Sequence, residues 1–286
     1  MAVCNVCFRK CSLAEGQTGP CGARIGRGGK VLPKYYGRLS SLALDPIEKK
    51  PLRHFHPGSR ILSAGSLGCN LHCPFCQNHE IAQADESGEF IIPTDRVSPE
   101  KLVEAAEYCR NRGNIGIAFT YNEPLVGYEY VRDTAKLAHD KGLLCVLVTN
   151  GTASLSVLEE LAPYTDAMNI DLKGFTDRYY REVLKGDRRM TMAFIQEAVR
   201  ICHVELTTLI VPDENDSREE MRELSAWVAG LQNVYGHRSG RDIPLHISRF
   251  FPRYHMSEKK PTEIMTVYEL VNIAGQHLKY VYPGNC

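Results

Sequence analysis

Three cysteines lie within one eight-residue segment, where Cys69, Cys73 and Cys76 form the pattern C-x3-C-x2-C. Three thiolates on one short loop can bind three irons of a four-iron cluster and leave the fourth iron open to another ligand. Zinc is the main alternative, because His79 would extend the pattern to C-x3-C-x2-C-x2-H and a structural zinc site has four protein ligands. The segment therefore predicts a metal-bearing loop, with an iron–sulfur cluster favoured over zinc.

A second group of cysteines lies near the amino terminus, where Cys4, Cys7, Cys11 and Cys21 read C-x2-C-x3-C-x9-C. Four thiolates satisfy either a closed tetrahedral zinc site or a second iron–sulfur cluster. The glycine-rich stretch 16–22 suits a knuckle around a metal ion. Residues 1–30 are therefore predicted to form a small metal-binding module, with zinc and a second cluster both open.

The cysteine count and the charge balance limit the classes of protein that this chain can belong to. Its eleven cysteines are an odd number, and its first residues carry no charged-then-apolar signal pattern, which argues against a disulfide framework. Lys and Arg together number 34, as do Asp and Glu, so the chain lacks the net charge of a general nucleic-acid binder. No apolar run approaches the length of a membrane span. We expect a cytoplasmic protein, as monomer or homodimer.

Apolar strand candidates alternate with helical patterns from residue 60 onward. The strand candidates are residues 60–64, 115–120, 144–149, 167–172, 204–211, 244–248 and 279–282. Four helical patterns follow: from Ser98-Pro99 to Gly113, over residues 125–141, from Ser217 through residue 228, and from Pro261 to about residue 278. This alternation predicts an α/β fold of parallel strands, a partial (β/α)6 TIM-like barrel over residues 60–286. Residues 31–59 are interpreted as an irregular connector.

Polar side chains follow several of these strands. Cys69 comes after the first strand, Asn122 and Glu123 after the second, Asn150 after the third, and Asp171 with Lys173 after the fourth. The carboxyl ends of parallel strands meet at one face of such a fold, so we expect these groups to converge on one site.

The segments around these residues resemble the radical S-adenosylmethionine (SAM) superfamily. Besides the cysteine loop, the agreement in order includes the motifs Thr-Tyr-Asn-Glu-Pro (120–124), Val-Thr-Asn-Gly (148–151), Asn-Ile-Asp-Leu-Lys-Gly (169–174) and His-Ile-Ser-Arg-Phe-Phe-Pro (246–252). Within the superfamily the chain looks like the AmmeMemoRadiSam-associated radical enzymes, which are similar to pyruvate formate-lyase activating enzymes. The resemblance implies an anaerobic enzyme that uses a [4Fe-4S] cluster to cleave SAM reductively, giving a 5′-deoxyadenosyl radical that abstracts hydrogen from a substrate.

The resemblance also implies roles for individual residues. Cys69, Cys73 and Cys76 would bind the cluster, Phe75 would shield it and pack near the adenine, and Glu123 beside Asn122 would accept a hydrogen bond from the SAM ammonium group. Thr149 and Asn150 would reach the ribose or the carboxylate. Asp171 and Lys173 would contact the ribose and the carboxylate, with Lys173 also counted among the catalytic residues. The remaining implied positions are Leu209 and Val211, which would line the adenine, and His246 and Arg249, which would end the sixth strand, face the substrate and also count as catalytic.

The implied partners are a flavodoxin- or ferredoxin-like electron donor and either a glycyl radical enzyme or a Memo-like protein. The basic, His-bearing run of residues 49–56 is a candidate docking site for the electron donor. Two alternatives stay open: modification of a small molecule or protein together with Memo-like partners, and a non-catalytic zinc protein in which both cysteine groups are structural.

Overall fold

The protein is built around one eight-stranded sheet covered by helices. The computed structural model describes residues 1–84 and 89–286. In chain order the strands are β1 (Ala2–Val3), β2 (Ser12–Leu13), β3 (Arg24–Arg27), β4 (Lys30–Pro33), β5 (Arg38–Leu39), β6 (Ser41–Pro46), β7 (Arg60–Gly65), β8 (Asp95–Arg96), β9 (Asn114–Phe119), β10 (Leu144–Thr149), β11 (Ala167–Asp171), β12 (His203–Ile210), β13 (Leu245–Arg249) and β14 (Val281–Gly284). The helices are α1 (His79–Ala82), α2 (Pro99–Tyr108), α3 (Tyr128–Asp140), α4 (Leu155–Leu161), α5 (Arg188–Ile201), α6 (Arg218–Ala229) and α7 (Ile264–Ala274).

The strand order of the main sheet is β14-β13-β12-β11-β10-β9-β7-β6. Neighbours from β7 to β14 run parallel, and β6 pairs antiparallel with β7. The sheet has two edges, β14 and β6, so it forms a partial barrel rather than a closed one. This architecture confirms the predicted α/β class, and it brings the carboxyl ends of the parallel strands to one face.

Local sequence signals explain where several elements begin and end. The Ser98 side chain accepts a hydrogen bond from the Lys101 amide at 3.4 Å and caps α2, which carries Pro99 at its first position. The following turn ends at Gly113, whose φ of 85° favours glycine. Ser217 caps α6 in the same way, accepting from the Glu220 amide at 3.1 Å.

The structure differs from the predictions in the connector and in three helices. Residues 31–59, predicted to be irregular, carry β6, which extends the sheet by antiparallel pairing. Helices α4 and α5 were absent from the predicted patterns, and α7 begins at Ile264 rather than at Pro261. The start of α7 is displaced because the Thr262 hydroxyl donates to the Ile210 carbonyl at 2.6 Å and accepts from the Phe250 amide, which holds this residue against the sheet.

The amino-terminal module packs directly on the barrel. The Val6 carbonyl accepts a hydrogen bond from the Ser154 amide at 2.8 Å, and Val6 with Cys4 belongs to the main hydrophobic core. The Arg9 guanidinium donates to the carbonyls of Asn70, at 3.1 Å, and Lys185, at 3.0 Å. The module therefore shares its core with the sheet. Within residues 1–84 and 89–286, no helix has the length and apolar character needed to cross a membrane.

Candidate active site

The loop that carries Cys69, Cys73 and Cys76 follows β7 at the carboxyl end of the sheet. It bends sharply at Gly68, where φ is 94° and an added Cβ would lie 2.6 Å from the Cys21 carbonyl oxygen. Leu71 and Phe75 anchor the loop in a buried hydrophobic cluster that also contains Tyr179, Tyr180, Leu184, Val211 and Phe250. All three cysteines line one open cleft. The anchored loop therefore presents its thiols to the cleft while its apolar side chains fill the core.

The surroundings of these thiols fit an iron–sulfur cluster. Two nitrogen donors approach the Cys69 sulfur, the Leu71 amide at 3.4 Å and Asn150 Nδ2 at 3.6 Å, as expected of groups that hydrogen-bond a cluster thiolate. Burial raises the pKa of the Cys73 thiol to about 11 despite the nearby Lys173 ammonium, and a bound iron would favour the thiolate. Three thiols on one loop suit three irons of a cluster, whereas a closed zinc site needs a fourth protein ligand.

Glu123 connects the ends of β9 and β10 at the floor of the cleft. Its carboxylate accepts hydrogen bonds from the Thr149 hydroxyl at 2.7 Å, the Asn150 amide at 2.8 Å and the Leu125 amide at 3.0 Å. Burial raises its pKa to about 7 even though these three bonds act in the opposite direction, and the nearby Asp171 raises it further. A cationic ligand in the cleft would stabilise the ionised carboxylate.

Asn122 and Asn150 tie this floor to the cysteine loop. Asn122 Oδ1 accepts from the Ser66 amide at 2.9 Å, and its Nδ2 donates to the Gly68 carbonyl at 3.1 Å. Asn150 Nδ2 donates to Asn70 Oδ1 at 2.9 Å. Thr149, Asn150 and Asn122 all line the cleft, but the polar atoms named here are already bonded to protein groups. Their direct contact with SAM stays a prediction.

Asp171 and Lys173 follow β11 and form an ion pair in the cleft wall, with Lys173 Nζ 2.8 Å from Asp171 Oδ2. Burial acts to lower the pKa of Lys173, but Asp171 and the Cys73 thiol act more strongly together and hold it well above its usual value. The ammonium is therefore charged beside the thiols. It is placed to bind an anionic group near the cysteine loop.

Of the remaining predicted residues, one lines the cleft and two lie outside its surface. Leu209 lines the cleft, whereas Val211 is fully buried behind it, in the cluster that supports Phe75. Arg249 Nε donates to the Thr262 carbonyl at 2.6 Å and is not among the cleft-lining residues. Val211 and Arg249 thus support the site from outside its surface.

The position predicted for His246 is corrected by the structure. His246 is the second residue of β13, at the amino-terminal end of the strand rather than at its end. Its Nε2 lies 2.7 Å from Glu205 Oε2, because the parallel register of β12 and β13 brings the two residues to the same edge. It is therefore bound to Glu205 and is not among the cleft-lining residues.

Sequence reasoning missed two residues that line the cleft, Lys50 and Tyr121, and the Asp45 carboxylate that joins them. Asp45 Oδ2 accepts from Lys50 Nζ at 2.9 Å and from the Tyr121 hydroxyl at 2.7 Å, and Lys50 lies 4.6 Å from the centre of the Tyr121 ring. Lys50 is 2% exposed, so the run 49–56 is not a continuous docking face for an electron donor. A Cβ at Gly65 would lie 2.8 Å from the Tyr121 ring, so Tyr121 fills the space beside β7. The Thr-Tyr-Asn-Glu-Pro motif contained the signal for Tyr121.

The four amino-terminal cysteines lie together but outside this cleft. Cys4, Cys7, Cys11 and Cys21 line a separate enclosed cavity on the other side of the Cys69 loop, into which Arg9 and Arg24 also reach. The prediction that they form one site is thus compatible with their placement. His79, the alternative zinc ligand of the first group, stacks on the Tyr254 ring, with the ring centres 4.4 Å apart.

Comparison with known proteins identifies the family. The family model described as the radical SAM superfamily matches residues 65–225, more than half of the chain and the whole stretch from the cysteine loop to α6. This chain belongs to the radical SAM superfamily. A relative from Methanocaldococcus jannaschii, named as an uncharacterized protein, is 39% identical over 287 residues, which is 99% of this chain and 80% of that protein.

A relative with a named activity and a solved structure extend the comparison. The pyruvate formate-lyase-activating enzyme of Clostridium pasteurianum is 27% identical over 168 residues, 58% of this chain and 68% of that enzyme. The crystal structure of Streptococcus suis SuiB bound to S-adenosylmethionine matches with a TM-score of 0.57 at 13% identity, over 77% of this chain and 49% of that one. The solved structure supports the fold assignment.

Membership in the superfamily settles the class of chemistry. The protein is an enzyme of the radical SAM class, with a [4Fe-4S] cluster and SAM as cofactors. The predicted enzyme class, the fold, and the [4Fe-4S] cluster and SAM as cofactors are confirmed. The alternative of a non-catalytic zinc protein is wrong, because the cysteine loop is part of the matched catalytic family segment. The more specific link to AmmeMemoRadiSam systems stays a prediction.

Proposed function

We propose that SAM binds in the cleft between the cysteine loop and the ends of β9, β10 and β11, and that Cys69, Cys73 and Cys76 are the three cluster ligands. The observation that carries this proposal is the convergence of these thiols, Glu123 and Lys173 on one cleft. A cluster bound there supplies the electron that cleaves SAM into methionine and a 5′-deoxyadenosyl radical. The chain itself binds and orients SAM and excludes water from the radical.

The charges in the cleft suit the two ends of the amino-acid part of SAM. The Glu123 carboxylate is positioned to accept hydrogen bonds from the ammonium group, a charge-assisted contact that also satisfies the buried negative charge. Lys173, charged and close to the cysteine thiols, is positioned to bind the carboxylate group, while its partner Asp171 is available to the ribose hydroxyls. The amino-acid moiety then lies beside the cluster ligands.

The apolar side of the cleft suits the adenine ring. Phe75 and Leu209 line it, and Phe75 is held in place by Phe250, whose ring centre is 6.3 Å away in an edge-to-face arrangement. Val211 packs behind Phe75 in the same cluster. This packing supports one orientation of Phe75, which both shields the loop from water and offers a face to the adenine.

The test of this assignment is anaerobic conversion of SAM to 5′-deoxyadenosine by the reconstituted protein with dithionite as reductant. We expect turnover by the wild-type protein and loss of turnover in Cys73→Ser. Cys109→Ser is the matched control, since Cys109 is a buried cysteine at the end of α2, outside both cysteine groups. Turnover by Cys73→Ser, or its loss in both variants, would contradict the ligand assignment.

For the substrate, we propose hydrogen abstraction from a partner protein, with a glycyl radical enzyme as the first candidate. The support is the similarity to pyruvate formate-lyase-activating enzymes, which from Clostridium pasteurianum and Escherichia coli reaches 27% and 24% identity. The electron would come from a flavodoxin- or ferredoxin-like donor in a reducing, cytoplasmic compartment, where cysteines are not oxidised to disulfides. Modification together with a Memo-like partner is the second candidate, resting on the motif resemblance.

Isotope transfer separates these substrate classes. An extract of the source cells grown in deuterated medium is divided by size into a protein fraction and a small-molecule filtrate, and each is added to the enzyme with unlabelled SAM. A protein substrate predicts deuterium in 5′-deoxyadenosine with the protein fraction alone, and a glycyl radical partner also predicts a glycyl radical signal by electron paramagnetic resonance (EPR). Deuterium transfer from the filtrate alone would contradict a protein substrate.

A further inference from the structure

The four amino-terminal cysteines line one narrow cavity, which we call the thiol cavity. Cys4 and Cys11 are brought together because the Cys4 amide donates to the Cys11 carbonyl at 2.8 Å, beside the β1–β2 pair. Cys7 lies in the turn between them, and Cys21 enters from the segment before β3. Cys4, Cys7 and Cys21 are at most 9% exposed. These three buried thiols and the half-buried Cys11 around one space form the donor set of a metal centre.

Arg24, which lines the same cavity, has a buried nitrogen without a hydrogen-bond partner among the described residues. The Arg24 guanidinium is fixed on one side by Glu129, with Nη1 2.6 Å from Oε2, and on the other by the Val31 carbonyl, 3.2 Å from Nη2. Its Nε, in contrast, is buried and has no hydrogen-bond partner among the described residues. Arg24 is 5% exposed and lines the thiol cavity. Because an unpaired buried N–H is costly, this atom indicates an acceptor inside the cavity.

The charges around the cavity indicate that this acceptor is anionic. Arg9 and Lys10 line the cavity together with Arg24, so three cationic side chains surround four thiols. Four thiolates around a metal centre carry a net negative charge, which these cations offset. The unpaired Arg24 Nε is then a donor to a sulfur atom, the type of contact that tunes iron–sulfur clusters.

The space among the thiols favours a cluster over zinc. A zinc ion bound at about 2.3 Å from each sulfur would draw the four sulfurs to about 3.8 Å from one another and leave no cavity between them. Cys4, Cys7, Cys11 and Cys21 instead line one common cavity.

We propose that Cys4, Cys7, Cys11 and Cys21 bind a second four-iron, four-sulfide cluster and that Arg24 Nε donates a hydrogen bond to one of its sulfur atoms. The second site is connected to the first through the backbone. The Cys69 amide donates to the Cys21 carbonyl at 3.2 Å, and Arg9 Nε donates to the Asn70 carbonyl at 3.1 Å. A ligand of each site thus takes part in one shared hydrogen bond, so the two metal centres are close neighbours. This inference goes beyond the proposed function and does not depend on the substrate.

The decisive variant removes the first site and leaves the second intact. The triple variant Cys69→Ser, Cys73→Ser, Cys76→Ser is purified and reconstituted anaerobically, and iron, sulfide and zinc are measured per chain. We expect about four iron and four sulfide ions to remain, with visible absorption that bleaches on reduction and an EPR signal in the reduced state. One zinc ion per chain with no iron would overturn the proposal, while leaving SAM cleavage by the wild-type protein unaffected.

The role of Arg24 is tested separately by its redox effect. In the triple-variant background, Arg24→Lys removes the Nε donor but keeps a positive charge, and we expect the cluster to be retained with a lower reduction potential, because hydrogen bonds to sulfur favour the reduced state. Glu129→Gln is the matched control, since it alters the salt bridge of Arg24 but leaves Nε in place. A potential unchanged in Arg24→Lys, or lowered equally in Glu129→Gln, would contradict the hydrogen bond from Nε.

Discussion

Two buried glutamates at opposite ends of the same sheet experience opposite electrostatics. Glu123 follows β9 at the carboxyl end and is 3% exposed, whereas Glu205 is the third residue of β12 near the amino-terminal end and is fully buried. The pKa of Glu123 is raised to about 7, while that of Glu205 is lowered to about 2. Burial favours the protonated form of both, so the difference arises from their neighbours.

The neighbours of Glu205 are protein groups that satisfy its charge completely. Its carboxylate accepts from the backbone amides of Arg53, at 3.0 Å, and His54, at 2.7 Å. The ring nitrogens of His203 and His246 lie 3.1 Å and 2.7 Å from its two oxygens. These hydrogen bonds lower the pKa against the effect of burial. Glu205 therefore links the connector to β12 and β13, and its negative charge is stabilised without a ligand.

Glu123 has three hydrogen-bond donors but faces a cleft that contains thiols and Asp171. The three hydrogen bonds do not fully stabilise its negative charge, and a bound cation would do so. The comparison indicates that the amino-terminal end of the sheet stabilises the fold, while the carboxyl end is arranged for a ligand, as in other parallel α/β folds.

The largest expected effect is a loss of protein stability when Glu205, at the amino-terminal end of the sheet, is replaced. Glu205→Gln replaces a buried anion by a neutral amide. The NH2 group of this amide cannot accept the hydrogen bonds that the carboxylate oxygen accepted. We therefore expect the free energy of unfolding to fall by about 3 kcal/mol and the Tm by several degrees. SAM affinity, measured by titration at a temperature where both proteins are folded, should stay within about twofold of wild type, since binding energy changes only through contacts at the cleft. A stable Glu205→Gln variant that had lost SAM binding would contradict the assignment of Glu205 to fold stability alone.

The second expected effect, similar in size, is a gradual loss of the Glu205 contribution to stability as the pH falls. Because the folded pKa of Glu205 is about 2, below its unfolded value of about 4.3, its contribution is fully present above about pH 5 and is lost as the pH falls toward 2. The difference in Tm between wild type and Glu205→Gln should therefore shrink as the pH is lowered from 6 to about 3. A difference that stayed constant over this range would show that the Glu205 charge contributes nothing.

At the carboxyl end we expect a loss of affinity instead of stability. Glu123→Gln removes a charge-assisted hydrogen bond to the SAM ammonium group, which corresponds to about 2 kcal/mol and a roughly 30-fold rise in the Kd for SAM. Iron content should match wild type, because Glu123 is not a cluster ligand. An unchanged Kd would remove Glu123 from the SAM site and weaken the contrast with Glu205.

The smallest effect is expected for His246, which sequence reasoning assigned to the substrate. His246→Gln removes one of four hydrogen bonds to Glu205, so we expect the free energy of unfolding to fall by about 1 kcal/mol. The rate of 5′-deoxyadenosine formation should not change. A strong decrease in that rate at full iron content would indicate that His246 has a catalytic role after all.

Local patterns predicted those parts of the molecule that depend on short stretches of sequence. The apolar runs identified the parallel strands, and the residues directly after them, Cys69, Glu123, Asn150 and Lys173, do line the cleft. Cap residues located α2 and α6. These features depend on neighbours within a few positions, which the sequence shows directly.

Features that depend on distant pairing were missed. β6 forms because it pairs antiparallel with β7, and Lys50 is buried because that strand folds it against Asp45 and Tyr121. The environment of His246 is set by its register against β12, which spacing along the chain does not define. The cap of α5 was visible in principle, since Asp187 accepts from the Met190 amide at 3.1 Å.

The most direct test of the account is the EPR spectrum of the reduced, reconstituted protein before and after addition of SAM. The account predicts that SAM changes the spectrum of the cluster in wild type and in Glu205→Gln. The change should be absent in the Cys69→Ser, Cys73→Ser, Cys76→Ser variant, even if that variant retains iron at the amino-terminal cysteines. A SAM-dependent change that survives in the triple variant, or no change in wild type, would contradict the placement of the active site at the carboxyl end of the sheet.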